Sequence, residues 1–92
     1  MKLVVDATAW KDLDDIANWI ARDNPVAARQ VLAAILQTID QLERFPRLAR
    51  PGRAHGSYER VVVGTPYIIV LQSQEDREVV IVTAVAHGAR NR

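Results

Sequence analysis

ARDNPVAAR, residues 21–29, decides whether the first half of this chain is one helix or two. Asparagine is a favoured helix N-cap, and proline at the first helical position gives up no hydrogen bond that the helix would have made. Asn24-Pro25 therefore predicts a restart rather than a continuation. Helical periodicity runs outward on both sides. Upstream, Leu13, Ile16, Ala17 and Ile20 recur at i, i+3, i+4 and i+7, one apolar stripe of an amphipathic helix. Thr8 is read as its cap, and the helix is expected to reach about Asp23. Asp12, Asp14 and Asp15 lie off the stripe; Asp12 and Asp15 fall in early turns, where the helix dipole favours negative charge. Downstream, Ala28, Leu32, Ile35, Ile39 and Leu42 step by four and three to about Arg44. So short a link leaves only a tight helical hairpin. Phe45-Pro46 ends it, because the residue before a proline is pushed out of the helical region.

Around the hairpin the periodicity changes. Residues 2–5 (KLVV) read as a first strand ending at Asp6, and three β-rich runs follow at 58–63, 67–72 and 79–85. Gly64-Thr65-Pro66 and the SQEDRE segment at 73–78 suit the links of antiparallel hairpins. The expected fold is α+β, β-α-α-β-β-β, with the helical hairpin packed on a small antiparallel sheet. The strands are nearly continuously apolar, which calls for cover on both faces: the hairpin on one, a partner on the other.

Ninety-two residues make one domain, expected to span 1–92. With no cysteine, disulfides and thiolate metal sites are excluded, which suits a cytoplasmic protein. No run approaches the roughly 18 apolar residues of a membrane span, so no membrane association is expected. The net charge of +1 hides an asymmetry: residues 1–43 balance at −3 and residues 44–92 at +4. Ten of the twelve cations are arginine, the residue suited to planar, bidentate contacts with phosphate or carboxylate. The second half is thus the place to seek an anionic partner.

FPRLARPGRAHGSYERVVV, residues 45–63, concentrates that charge. Arg44, Arg47, Arg50 and Arg53 recur every three residues through a segment that Pro46, Pro51, Gly52 and Gly56 keep non-helical. Most such arginines are merely solvated, but a fixed backbone lowers the cost of ordering them against a partner. His87 follows the last strand, with Arg90 and Arg92 close behind. A lone histidine is more often structural than catalytic. Metal-free RNA cleavage would nevertheless use such a set: a base for the 2′-OH, an acid for the leaving oxygen, and cations for the phosphorane. His55 is a weaker candidate, and the two histidines give no metal-ligand spacing. Tyr58 and Tyr67 open successive strands and read first as packing residues. Trp10 and Trp19, nine residues apart, are expected to point in similar directions, Trp10 into the core and Trp19 toward core or partner. No phosphate-cradling glycine loop, HExxH or nucleophile elbow is present.

In order along the chain, the helix from Trp10, DNPVAA at 23–28, LERFPRLARPG at 42–52, ERVVV at 59–63, PYIIVLQ at 66–72 and VAHGAR at 85–90 resemble the ParE/RelE superfamily of toxins from type II toxin–antitoxin modules. The resemblance is to the ParE branch and covers nearly the whole chain. It implies a cognate antitoxin that forms a hetero-oligomer with the toxin, and a groove beside the helical hairpin to receive it. It also implies inhibition of DNA gyrase; no cofactor and no metal are expected. The alternative it carries is the RelE activity, a metal-independent mRNA endonuclease acting on the translating ribosome. Arg50, Arg60, Tyr67, His87 and Arg90 match positions of the family's pattern; the candidates for target contact are Arg50, Arg53, Arg60, His87, Arg90 and Arg92, and those for antitoxin contact are Trp19 and Tyr67. A nuclease would use His87, Arg60, Arg90 and Tyr67. Scarce lysine counts against that alternative. Tyr58 stands where many ParE-like sequences carry arginine, which leaves Arg60 to supply charge on that face.

Overall fold

A computed structural model describes residues 2–74 and 78–88. The elements are β1 (Lys2–Val5), α1 (Ala7–Ala21), α2 (Pro25–Arg44), a 3-10 turn (Pro46–Leu48), β2 (Arg50–Pro51), β3 (Ser57–Val61), β4 (Tyr67–Gln74) and β5 (Val79–His87). The α+β fold is as expected, with two helices packed on a five-stranded sheet of order β1-β5-β4-β3-β2. The sheet is mixed. Strands β2 to β5 pair antiparallel, while β1 joins β5 in parallel, Lys2 opposite Val79 through Val5 opposite Val82.

The restart at Asn24 is realised: its side-chain oxygen accepts from the Ala27 N–H at 3.0 Å, with Pro25 first in α2. The start of α1 differs from the expectation. Asp6, not Thr8, is the cap, its carboxylate accepting from the Ala7 N–H at 2.9 Å. Thr8 lies inside the helix and has another task. Its hydroxyl is 2.8 Å from Asp6 Oδ2 and 2.9 Å from the Thr83 carbonyl oxygen, so one proton is shared between two acceptors. One turn later, Asp12 Oδ2 accepts from the Val85 N–H at 3.0 Å. Strand β1 stops opposite Val82, and these two side chains take up backbone groups of β5 beyond it. Open edges of that kind are otherwise left to water or to another strand.

Side chains at Leu13 on α1 and at Ile35, Ile39 and Leu42 on α2 are buried against Ile69 and Leu71 of β4 and Val82 and Val85 of β5. These are the stripes read from the 3.6-residue period. The other face of the sheet carries Val4, Val61, Val70, Ile81, Ala84 and Ala86, since direct cross-strand partners point the same way. Val61 is 48% exposed there. The expected connection at 45–56 is also more regular than a loop, with its 3-10 turn and with β2 set against Tyr58 and Glu59. Between β3 and β4, Gly64 at φ +82° makes the reversal, and the Thr65 N–H reaches the Val62 carbonyl at 3.1 Å.

Asp12→Ala removes the acceptor for a part-buried amide and is expected to lower unfolding stability by about 1–3 kcal/mol. Asp12→Asn keeps an acceptor and should cost less. Urea titration followed by circular dichroism measures both; equal losses would remove the hydrogen bond from the explanation.

Candidate functional site

Strand β3 sorts the arginines by alternation. Arg60 stands opposite Ile69 and Tyr58 opposite Leu71, so both face the helices. Arg50 stands opposite Glu59 and therefore faces the other side of the sheet. Of the candidates for target contact, Arg50 and Arg60 thus lie on opposite faces of the sheet. Arg53 is exposed in the link between β2 and β3, as is His55. Arg90 and Arg92 lie outside the described residues.

Arg60 is half-buried, and its Nε is enclosed with no hydrogen-bond partner among the described residues. Enclosing a polar nitrogen without an acceptor is costly, so this atom marks a position where an incoming acceptor would be favoured. One strand over, Tyr67 pairs directly with His87. Their rings meet edge to face, centroids 5.6 Å apart and planes at 82°, a favoured aromatic geometry. Tyr67 is only 8% exposed and belongs to the core, whereas His87 is half-buried at the end of β5. The structure thus brings Arg60, Tyr67 and His87 onto one face within two strand positions of each other. Together they offer a guanidinium, a phenol and an imidazole for hydrogen bonding.

The tryptophans depart from expectation. Trp10 is 52% exposed and is not a core residue. Nine residues are about two and a half helical turns, so Trp10 and Trp19 occupy opposite flanks of α1 rather than similar directions. Alanine at position 9, wholly buried, takes the core place beside Leu13. Trp19 is 60% exposed near the hairpin tip, where the Arg22 guanidinium lies 5.4 Å from its ring centroid. On the same helix, Lys11 is held above the ordinary lysine value by its hydrogen bond to Asp15 and by that carboxylate's charge. Among the described residues no group of three or more His, Asp or Glu side chains gathers as a metal site would need, and no helix is long and apolar enough to cross a membrane.

A groove of about 350 Å³ opens where the C-terminal end of α2 meets the sheet. Leu3, Leu42, Leu71 and Val80 supply apolar walls from four different elements. Pro46 and Ala49 close it along the 3-10 turn, Tyr58 and Ser73 add hydroxyls, and Glu43 and Arg47 bring opposite charges. A groove beside the hairpin was expected, but not these walls. Leu3 and Val80 are neighbours only because β1 pairs with β5, a contact that periodicity does not report. The FPRLARPG segment was the available signal, since three of the lining residues lie in it.

Comparison with known proteins bears directly on this arrangement. The family model described as "ParE toxin of type II toxin-antitoxin system, parDE" matches residues 3–92. The chain belongs to the ParE toxin family. A Sinorhizobium fredii protein named "Putative toxin Y4kP" is 38% identical over 74 residues, covering 80% of this chain and 77% of that protein. Among solved structures, the toxin fold is shared with the chromosomal ParDE system of P. aeruginosa at a TM-score of 0.82 and 17% identity, covering 95% of each chain. The RelBE2 toxin–antitoxin complex of Mycobacterium tuberculosis gives 0.68 at 23% identity, covering 94% of this chain and 95% of the other. A YoeB/ParE toxin from Agrobacterium tumefaciens gives 0.64 at 17%, covering 95% and 98%. The ParE-family fold therefore underlies the groove and the Arg60, Tyr67 and His87 cluster alike.

Because Tyr67 is part of the core, Tyr67→Ala is expected to lower stability by about 3–5 kcal/mol, while Tyr67→Phe should stay much closer to wild type. Thermal unfolding of both variants separates packing from any role of the hydroxyl. A Tyr67→Phe protein that folds normally but loses toxicity would assign that role.

Proposed function

We propose that this ParE-family toxin arrests growth by binding DNA gyrase, and that direct binding of a cognate antitoxin holds it inactive in the cytoplasm. The match to ParE toxins over residues 3–92 carries this reading. The arginines support it physically. Arg50 and Arg53 are exposed cations on a short strand and its adjoining link, fixed beside Glu59 and Tyr58, and none of Arg47, Arg50 or Arg53 forms an ion pair within the described residues. Cations held in place lose less freedom when they meet an anionic surface. In this reading Arg50, Arg53, Arg60 and His87 contact the target together with Arg90 and Arg92, and inhibition requires no bond-making by the toxin. Trp19, exposed at the hairpin tip, is a contact for the antitoxin.

A second reading draws on one observation, the convergence of Arg60, Tyr67 and His87. In a ribosome-dependent mRNA endonuclease His87 would exchange protons with the reacting oxygens, while Arg60 and Arg90 stabilise the phosphorane charge. Burial of Tyr67 against the core weakens its claim to reach RNA.

Purified toxin added to a gyrase supercoiling and cleavage assay should block supercoiling and accumulate cleaved DNA, and a parallel translation extract should show no new mRNA ends. Discrete mRNA cuts that vanish in folded His87→Ala, with gyrase untouched, would replace the first reading by the second.

A further inference from the structure

Strand β1 is an edge of the sheet, paired with β5 on one side only. The Lys2 and Asp6 N–H groups donate to the Glu78 and Val82 carbonyls at 3.1 and 2.9 Å, so the even-numbered amides of this strand face β5. Hydrogen-bonding groups alternate sides along a strand, which turns those of Leu3 and Val5 outward. Among the described residues nothing hydrogen-bonds to them. An edge of this kind is a template for another strand. Its one cation, Lys2, is exposed and outside any ion pair of the described residues. Val4, 39% exposed, lies between Lys2 and Asp6 on the face turned away from the helices.

We propose that this edge pairs antiparallel with the same edge of a second copy of the chain, about a two-fold axis through Val4. The stretch KLVVD, residues 2–6, is self-complementary in that register. Leu3 stands opposite Val5 of the second copy, and each such pair exchanges both backbone hydrogen bonds, so the outward groups are all used. Val4 meets its own copy across the axis in the non-hydrogen-bonded position, where side chains come closest. The apolar line that Val4 forms with Ile81, its neighbour on β5, then continues into the second molecule. Lys2 stands opposite Asp6 of the second copy, and by symmetry this ion pair is made twice. Asp6 has room for it. Its backbone is still extended, at φ −71° and ψ 155°. Its carboxylate oxygens accept one bond each, from the Ala7 N–H and the Thr8 hydroxyl, which leaves lone pairs over. Moving the axis one residue either way puts Lys2 opposite Val4, or Val4 opposite Asp6, and loses the charge match. Matched charges fix the register and favour a second copy over an unrelated strand. Arg60 and Tyr67 stand on β3 and β4, away from this edge, so the pairing leaves them uncovered. A strand edge buries far less than the roughly 1,600 Å² of a standard interface, so the dimer is a weak one that forms as the toxin accumulates.

The chain has no cysteine, so one introduced thiol reports the register directly. Cα atoms in the non-hydrogen-bonded position are about 4.5 Å apart, within the roughly 4.4–6.8 Å that a disulfide spans. Purified full-length Val4→Cys toxin should form a disulfide-linked dimer under mild oxidation about tenfold faster than Val61→Cys, a position exposed on the same face but carried by β3 rather than β1. Sedimentation of the wild type should show a monomer–dimer equilibrium that moves toward dimer with concentration, and amide exchange read by NMR should slow at Leu3 and Val5 over the same range. Lys2→Glu sets like charges opposite each other twice and should weaken the dimer about tenfold at low salt, with an unchanged melting temperature and a gap that narrows as salt rises. Arg29→Glu makes the same charge change on the exposed part of α2 and should dimerise within about twofold of wild type, since charges away from a contact have little effect on affinity. Equal oxidation rates for Val4→Cys and Val61→Cys, or a wild type that stays monomeric at every concentration, overturn the proposal. Equal weakening by Arg29→Glu overturns it too, since general charge would then suffice. If Leu3 and Val5 gain protection only when the antitoxin is added, the edge belongs to that partner and not to a second copy.

Discussion

Strand β5 has a neighbour on each side only as far as Val82. Beyond that point β1 has turned away into α1, and the outer edge of β5 would stand open. Thr8 and Asp12, one turn apart on one flank of α1, bond to Thr83 and Val85 and take the place of the missing strand. Two anchors four residues apart fix the direction of the helix as well as its position. The stripe of Leu13, Ile16 and Ile20 is then laid against the sheet, and the short turn at Asn24 brings α2 back beside it. The C-terminal end of α2 arrives over Tyr58, Leu71 and Val80, and this determines where the groove opens.

The helices were the most legible part of this chain because their information is local. Asn24-Pro25 and the spacing of Leu13, Ile16 and Ile20, like that of Ile35, Ile39 and Leu42, each lie within a few turns of backbone. Reading Thr8 as a cap failed for an instructive reason. Threonine is a good cap, but aspartate two positions earlier offered a carboxylate to the same helix start, and Thr83 offered the threonine a carbonyl 75 residues away. Parallel pairing of β1 was equally out of reach, since KLVV reads the same beside either kind of neighbour. Trp10 was misplaced because bulk and hydrophobicity argue for burial, whereas the helix phase places it on a flank and gives the buried site to Ala9.

Among the candidate contact residues, alternation along β3 was readable and was sufficient to put Tyr58 and Arg60 on one face. It could not say that this face is the one beneath the helices, nor that the strand carrying Arg50 would present its side chain on the opposite one. The arginine series through residues 44–53 looked uniform as a string of letters. Folded, it divides into Arg44, paired with Asp40 on α2, Arg47 on the groove, and Arg50 across the sheet. A three-residue recurrence has no single face once the backbone passes from helix to turn to strand.

The parallel pairing of Lys2–Val5 with Val79–Val82 also sets a clock. During synthesis β1 leaves the ribosome well before its partner, by roughly 4–15 s at ordinary elongation rates. In that interval the groove does not exist, because Leu3 and Val80 are both among its walls. A partner that recognises this groove cannot engage a half-made chain. It must await the finished molecule, and meets the toxin at the moment the toxin becomes complete.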